Sequence, residues 1–214
     1  MGSDIPKQFL DLGGRPILRR SVELMTEALP QARIITVLPK EYIPYWKEYC
    51  LKTNFSVPQM IVSGGITRFH SVKNALAKVP DGALVAVHDA VRPLVSPGLV
   101  QELVKKAAEC GSAIPVTPTV DTLKVLDRVD GELRSAHETL DRSRIFAGQT
   151  PQVFHSEILS EAYRQAFDTS FTDEASVVER NKIPLSYVLG ERFNIKITTA
   201  EDLFLAEAII QKKN

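Results

Sequence analysis

Cysteine is scarce in this 214-residue chain. Only Cys50 and Cys110 occur, with no CxxC pair and no Cys/His cluster, so neither a disulfide framework nor a zinc site organises the fold, and a reducing compartment suits it. A surplus of either charge is also missing, since 26 Lys+Arg stand against 26 Asp+Glu. Strong sequence-independent affinity for nucleic acid or an anionic membrane normally needs a basic excess, so neither partner is expected. Long apolar runs are absent too. The stretch Ala83 to Val87 is among the longest and is far too short to span a bilayer, and no basic-then-apolar signal segment opens the chain. A cytoplasmic protein is expected. The G-x-G-x-x-G fingerprint and the Walker loop are both lacking, and the missing dinucleotide fingerprint argues against a dehydrogenase.

What is present suits a folded domain. Hydrophobic residues make up 44% and charged residues 24%, enough apolar chain to bury a core without staples, and the length fits a single domain over 1–214. Short, nearly continuous apolar runs at 33–38, 59–63, 83–88 and 113–116 read as strands covered on both faces, as in a mostly parallel sheet. Helical patterns lie between them: Pro16 opens one over 16–29, Thr67 precedes the Val72, Ala75, Leu76, Val79 stripe, and Ser96-Pro97 pairs a cap with a first-turn proline. Two more helices are expected over 156–167 and 199–213, the second opened by Thr199 with Asp202 as a capping box. This alternation predicts an α/β, doubly wound fold whose ligands bind beyond the carboxyl ends of the strands. Residues 120–141 break the rhythm, and Asp130-Gly131 there signals a tight hairpin that would protrude and need a partner subunit to lie against.

Several motifs could carry chemistry. Apolar strand gives way directly to His88-Asp89-Ala90-Val91-Arg92-Pro93, at the sheet edge where ligands sit. Asp89 can hold a polyol hydroxyl or the water around a dication, while Arg92 forks onto phosphate oxygens; the plain alternative is an Asp89–Arg92 pair that braces the loop. His88, adjacent to Asp89 and with no nucleophile-elbow serine in the chain, reads as structural. Ser63-Gly64-Gly65-Ile66-Thr67-Arg68-Phe69-His70-Ser71 joins a strand to a helix through two glycines that allow close backbone approach, but by itself it is a plain turn. Lys7, after Pro6, and Lys196, between Ile195 and Ile197, each read alone as a solvated lysine, the second on a strand.

The ordered set changes those readings. Pro6-Lys7-Gln8-Phe9, Gly64-Gly65 with Arg68 and Ser71, His88-Asp89-Ala90-Val91-Arg92-Pro93, Asp121-Thr122, Asp141-Arg142, Gln149-Thr150-Pro151-Gln152, Thr172-Asp173-Glu174-Ala175-Ser176 and Asn194-Ile195-Lys196 cover nearly the whole chain. Together they resemble the 2-C-methyl-D-erythritol 4-phosphate cytidylyltransferase family. The resemblance implies a Rossmann-like, doubly wound domain with a β-hairpin arm at 120–141 that embraces the partner in a homodimer. It implies CTP and a sugar-alcohol phosphate as substrates, Mg²⁺ as cofactor, and the non-mevalonate route to isoprenoid precursors. By matching positions, Lys7 and Lys196 would contact the reacting α-phosphate as the catalytic pair. Gly64, Gly65, Arg68, Ser71 and Asp89 would line the nucleotide site, and Asp89, Arg92, Thr150 and Thr172 the polyol phosphate site. Thr122 and Arg142 would reach the other subunit's site from the arm. Mg²⁺ would be held mainly by the triphosphate, near Asp89.

Two departures stand out. The family's opening strand and glycine-rich loop are expected before Met1 and do not occur in this sequence, and Ile66 replaces an acidic residue that some relatives carry. The expected chemistry is attack by a free hydroxyl of the polyol phosphate on the α-phosphorus of CTP, with fixed cations stabilising the charge that grows on phosphate oxygens. The nearest rival is a ribitol-5-phosphate cytidylyltransferase, which shares the Pro-Lys-Gln, His-Asp-x-x-Arg-Pro and Asn-x-Lys elements; Thr172 to Ser176 favours the methylerythritol enzyme. A non-catalytic, dimeric nucleotide-binding scaffold is the alternative from another class.

Overall fold

A computed structural model of the chain describes residues 5–213. The expectation about what precedes Met1 lies outside the described residues. The apolar runs form β1 (Ile34–Leu38), β2 (Gln59–Ser63), β3 (Leu84–Val87) and β4 (Ser112–Pro118), within a residue or two of their expected bounds. β1 and β2 pair in parallel, Ile34 opposite Gln59. The expected helices follow: α1 (Ile17–Ala28), α3 (Arg68–Leu76) and α4 (Pro97–Cys110), with α2 (Ile43–Lys52) an additional one that buries Trp46. The Thr67 hydroxyl accepts from the His70 amide and the Ser96 hydroxyl from the Leu99 amide, so both predicted caps operate.

The sheet is mixed, which the strand count from sequence did not anticipate. β7 (Phe146–Gly148) and β8 (Gln152–His155) are two pieces of one returning segment, and both lie antiparallel to β4. β8 also pairs antiparallel with β3, so it is inserted between β3 and β4, which therefore still point the same way. β9 (Tyr187–Leu189) adds to β4 in parallel. The reason is topological. A chain that leaves β4 through a hairpin arm and returns without an intervening helix re-enters the sheet antiparallel. These inserted strands are three or four residues long, too short to show a period.

Alternation along β4 and β8 divides the core into two layers. Ala113 and Val153 face α1 and α4 with Met25, Val100, Leu103 and Ala107, while Ile114 and Phe154 face α3, α5 (Ser156–Ala162) and α6 (Glu174–Arg180) with Phe69, Leu76, Leu159 and Val177. Each of the larger side chains, Val, Leu, Ile, Phe and Met, contributes roughly 1.5–3 kcal/mol by leaving water. The helix expected over 156–167 ends early, at Ala162. The Gln165 side chain donates through Nε2 to the carbonyls of Ala162 and Val177, taking a carbonyl that another helical turn would have used. α7 (Ala200–Lys213) opens with the expected capping box: Asp202 accepts from the Thr199 amide and Thr199 from the Asp202 amide.

The arm is present. β5 (Leu126–Val129) and β6 (Glu132–Ser135) form an antiparallel hairpin closed at Asp130 and Gly131, both with positive φ (53° and 84°), as a type I′ turn demands. All eight strand residues are exposed.

Candidate active site

The loop after β2 is shaped by close approach. A Cβ on Gly65 would collide with the His70 Cβ, and one on Gly64 would lie 3.1 Å from the Ser71 hydroxyl, so glycine is required by space rather than by φ. The Ser71 hydroxyl accepts from the Gly65 amide (3.0 Å) and donates to the Thr67 carbonyl (2.9 Å), which ties the loop to the start of α3. Ile66 is 95% exposed and projects from this loop without cover.

Beyond the carboxyl end of β3, Asp89 forms the hub of a cation cluster. Its Oδ1 accepts from Nε and Nη2 of Arg68 (3.2 and 3.1 Å), while its Oδ2 lies 3.0 Å from the Lys196 ammonium and 3.7 Å from Arg92 Nε. Burial pushes the Asp89 carboxyl up, but Arg68 and Lys196 outweigh it and hold the group below its ordinary value. Arg92 donates through Nη1 to the Asn194 carbonyl (2.7 Å), whereas its buried Nε has no hydrogen-bond partner. The bracing Asp89–Arg92 pair foreseen as the plain alternative is thus long, and Arg92 keeps donor capacity.

The residues behind Asp89 are fixed by a polar chain. The Asp89 amide donates to the Thr150 hydroxyl (3.0 Å), which in turn lies 3.1 Å from Nδ1 of His88. Nε2 of His88 lies 3.0 Å from the Arg92 carbonyl. That carbonyl can only accept, so Nε2 carries the proton and Nδ1 accepts from Thr150. Burial lowers His88 to about 4, so the imidazole is neutral and serves as a strut, as its sequence context suggested. The Asn194 side chain donates through Nδ2 to the Thr150 carbonyl (2.9 Å), joining the segment that carries Lys196 to the same frame. This segment is not a strand. Its burial still alternates: Ile197 is fully buried, Lys196 is exposed, and the Ile197 amide donates to the Val91 carbonyl.

Lys7 lies exposed in a short 3-10 turn over Lys7–Phe9. Two core contacts carry this turn toward Asp89 and Lys196. Phe9 packs in a cluster that Ala90 joins, and Leu10 and Leu12 share another with Ile195 and Ile197. Thr172 is exposed just before the capping box of α6, its amide donating to the Ser176 hydroxyl. Among the described residues, the Asp89 carboxylate is met by Arg68, Arg92 and Lys196, whereas Arg142 donates to the Val120 carbonyl. With Leu123, Leu140 and Ile145, Thr122 and Arg142 line an open cavity of about 160 Å³ at the base of the arm.

Sequence reasoning missed one charged member. Glu174, inside the quoted Thr172 to Ser176 run, is fully buried and binds Nη1 and Nη2 of Arg68, the latter at 2.9 Å. Burial raises its carboxyl above the ordinary value, against the pull of Arg68. Its signal was an acid immediately after the cap Asp173, read as part of a motif and not as a charge in need of a partner.

A protein-held metal ion does not fit this constellation. Among the described residues no three His, Cys, Asp or Glu side chains gather to hold one. Asp89 already faces three cations, and a dication at its carboxylate would meet their combined repulsion.

The sequence pattern of the family described as IspD, 2-C-methyl-D-erythritol 4-phosphate cytidylyltransferase, matches residues 1–212. The protein of that name from Bacteroides thetaiotaomicron is 43% identical over 210 residues, spanning 98% of this chain and 93% of the relative. That from Porphyromonas gingivalis is 43% identical over 211 residues, spanning 98% and 91%. Among solved structures, the crystal structure of 2-C-methyl-D-erythritol 4-phosphate cytidylyltransferase from Thermus thermophilus aligns with a TM-score of 0.79 at 33% identity, covering 96% of this chain and 94% of that one. The 4-diphosphocytidyl-2C-methyl-D-erythritol synthase from Anaerococcus prevotii aligns with a TM-score of 0.81 at 28% identity, covering 98% and 92%. No helix among the described residues is long and apolar enough to cross a membrane. With Lys196, Arg68 and Arg92 gathered on Asp89 beyond the carboxyl end of β3 and matches over nearly its whole length, this chain belongs to the 2-C-methyl-D-erythritol 4-phosphate cytidylyltransferase family.

Proposed function

We infer that this chain transfers the cytidylyl group of CTP to 2-C-methyl-D-erythritol 4-phosphate, giving 4-diphosphocytidyl-2-C-methyl-D-erythritol and pyrophosphate. The observation that carries the reading at the site is the meeting of Lys196, Arg92 and Arg68 on one carboxylate, Asp89. The expected hydroxyl attack needs correction. A related structure is named for a 4-diphosphocytidyl product, which holds two phosphates between cytidine and the sugar alcohol. One comes from CTP, and the other must be the acceptor's own 4-phosphate. An oxygen of that phosphate is therefore the nucleophile: its bond to the α-phosphorus forms, and the bond from that phosphorus to the bridging oxygen of pyrophosphate breaks, the electron pair leaving with pyrophosphate.

Two anions must then approach each other, so positive charge between them lowers both the encounter cost and the barrier. Lys7 and Lys196 are assigned to the α-phosphate and Arg92 to the acceptor phosphate, with Asp89, Thr150 and Thr172 on the acceptor side. Gly64, Gly65 and Ser71 are assigned to the nucleoside. Arg68, whose guanidinium is taken up by two carboxylates, supports Asp89 more than it serves the nucleotide. Mg²⁺ is proposed to arrive on the triphosphate, where it would neutralise phosphate charge, without a protein cage. We also propose a single nucleotidyltransferase domain, a homodimer joined through residues 120–141, and a cytoplasmic location. The exposed arm supports the dimer, since two strands alone are marginal in water.

A pyrophosphate-release assay with CTP and either 2-C-methyl-D-erythritol 4-phosphate or ribitol 5-phosphate tests the reading. Release with the first and little with the second is expected. Preference for ribitol 5-phosphate would reassign the acceptor, and CTP binding without release under either would leave a scaffold.

A further inference from the structure

We propose that Glu174 is a positioning residue for the acceptor site, aiming Arg68 at Asp89 from beneath; this rests on the assignment of Asp89 to the acceptor. The guanidinium lies between two carboxylates and presents one edge to each. Nε and Nη2 face Oδ1 of Asp89, and Nη1 and Nη2 face Glu174. Only a planar fork can do this, because an ammonium has no second edge held at a fixed angle to the first. Arg68 in turn occupies Oδ1 of Asp89, so that Oδ2 alone is left toward Lys196 and the open site. Burial by itself would favour loss of the Arg68 proton, and the two carboxylates outweigh it, so the group stays cationic.

Packing does not account for Glu174. Its side chain is 0% exposed, and α6 is already capped by Asp173, which accepts from the Ser176 amide. An unpaired buried carboxylate is costly, and an apolar residue of similar size would fill the same space more cheaply. Besides Arg68, the only side-chain donor to Glu174 among the described residues is the Tyr163 hydroxyl, at 3.3 Å. Tyr163 is itself stacked on Phe69, the residue next to Arg68, with ring centroids 4.6 Å apart. The whole support thus converges on the base of α3.

Steady-state kinetics of Glu174→Gln, Arg68→Met and the double variant test this. Glu174→Gln should raise the KM for the acceptor about tenfold, with the KM for CTP within about twofold, since a charge-assisted bond is lost behind the acceptor site only. In the Arg68→Met background the same change should have no further effect, because Glu174 acts through Arg68. An unchanged acceptor KM, equal shifts in both KM values, or additive effects would overturn the proposal. Should Glu174→Gln fail to fold, Tyr163→Phe carries the same test, with about a threefold rise expected from the loss of one hydroxyl donor. Absence of turnover by the unaltered chain with 2-C-methyl-D-erythritol 4-phosphate would instead defeat the functional reading itself.

Discussion

The ammonium of Lys196 lies 3.0 Å from Oδ2 of Asp89, joining the segment before α7 to the turn after β3. Neither residue lies in a regular element. What holds them together is the frame behind: the Ile197 backbone amide on the Val91 carbonyl and the Asn194 side-chain Nδ2 on the Thr150 carbonyl. The chain on either side of Lys196 is thereby held, while its half-exposed ammonium rests on Asp89.

Lys196→Ala should reduce kcat by about 10²–10³, the scale for removing one preorganised donor from a developing oxyanion. Lys7→Ala should lose rate on the same order. Both lysines are exposed, so far-UV circular dichroism and the urea midpoint should stay close to those of the unaltered protein. Near-normal pyrophosphate release by either variant would remove that lysine from the catalytic pair.

Arg92 offers a separable test. Its Nε is a buried donor with no hydrogen-bond partner, 3.7 Å from Asp89, and the guanidinium is proposed to take the acceptor phosphate. Arg92→Ala should raise the acceptor KM by roughly tenfold to a hundredfold, from a charge-assisted bond worth about 1.5–3 kcal/mol, while the KM for CTP moves little. Initial rates over a grid of both substrates measure the two separately. A large rise for CTP with an unchanged acceptor KM would swap the assignment.

The features legible in the sequence were those with local causes. Thr67, Ser96 and Thr199 predict their helix starts because a cap is a contact between near neighbours, and Asp130-Gly131 predicts its turn because positive φ is a property of single residues. β7, β8 and β9 were not legible, being too short for a period and held by β4 alone or by β3 and β4. The same divide runs through the site. Asp89 and Arg92 were marked by their place at a strand end, whereas the bond from Arg68 to Glu174 closes a long loop that no local pattern announces. Resemblance located Lys7 and Lys196, which their own surroundings present as ordinary surface lysines.

His88 predicts a pH dependence of stability. Burial depresses its folded pKa to about 4 from the ordinary 6.5. Between these values the unfolded chain binds the extra proton, so stability is fully present above about pH 6.5 and is lost as pH falls toward 4. The loss is about 3 kcal/mol at most, from roughly 1.4 kcal/mol per pH unit. Urea unfolding at pH 7 and pH 4.5 should show the unaltered protein losing about 2–3 kcal/mol more than His88→Gln over that interval. Equal losses would mean that the imidazole is already charged in the folded state.

The arm makes a prediction about sharing between subunits. Val120 is 67% and Leu133 63% exposed, and Thr122 and Arg142 line a cavity at the arm's base. If each arm serves the partner's site, Arg142→Ala damages the site across the dimer while Lys196→Ala damages the site of its own chain. Mixing the two inactive variants with subunit exchange then creates heterodimers in which one site carries both lesions and the other carries none. At equal amounts half the dimers are mixed, so about a quarter of the unaltered activity should return. If the arm serves its own subunit, every site keeps one lesion and the mixture stays as inactive as its components. Pyrophosphate release before and after exchange decides between the two, with size-exclusion chromatography confirming that dimers are present.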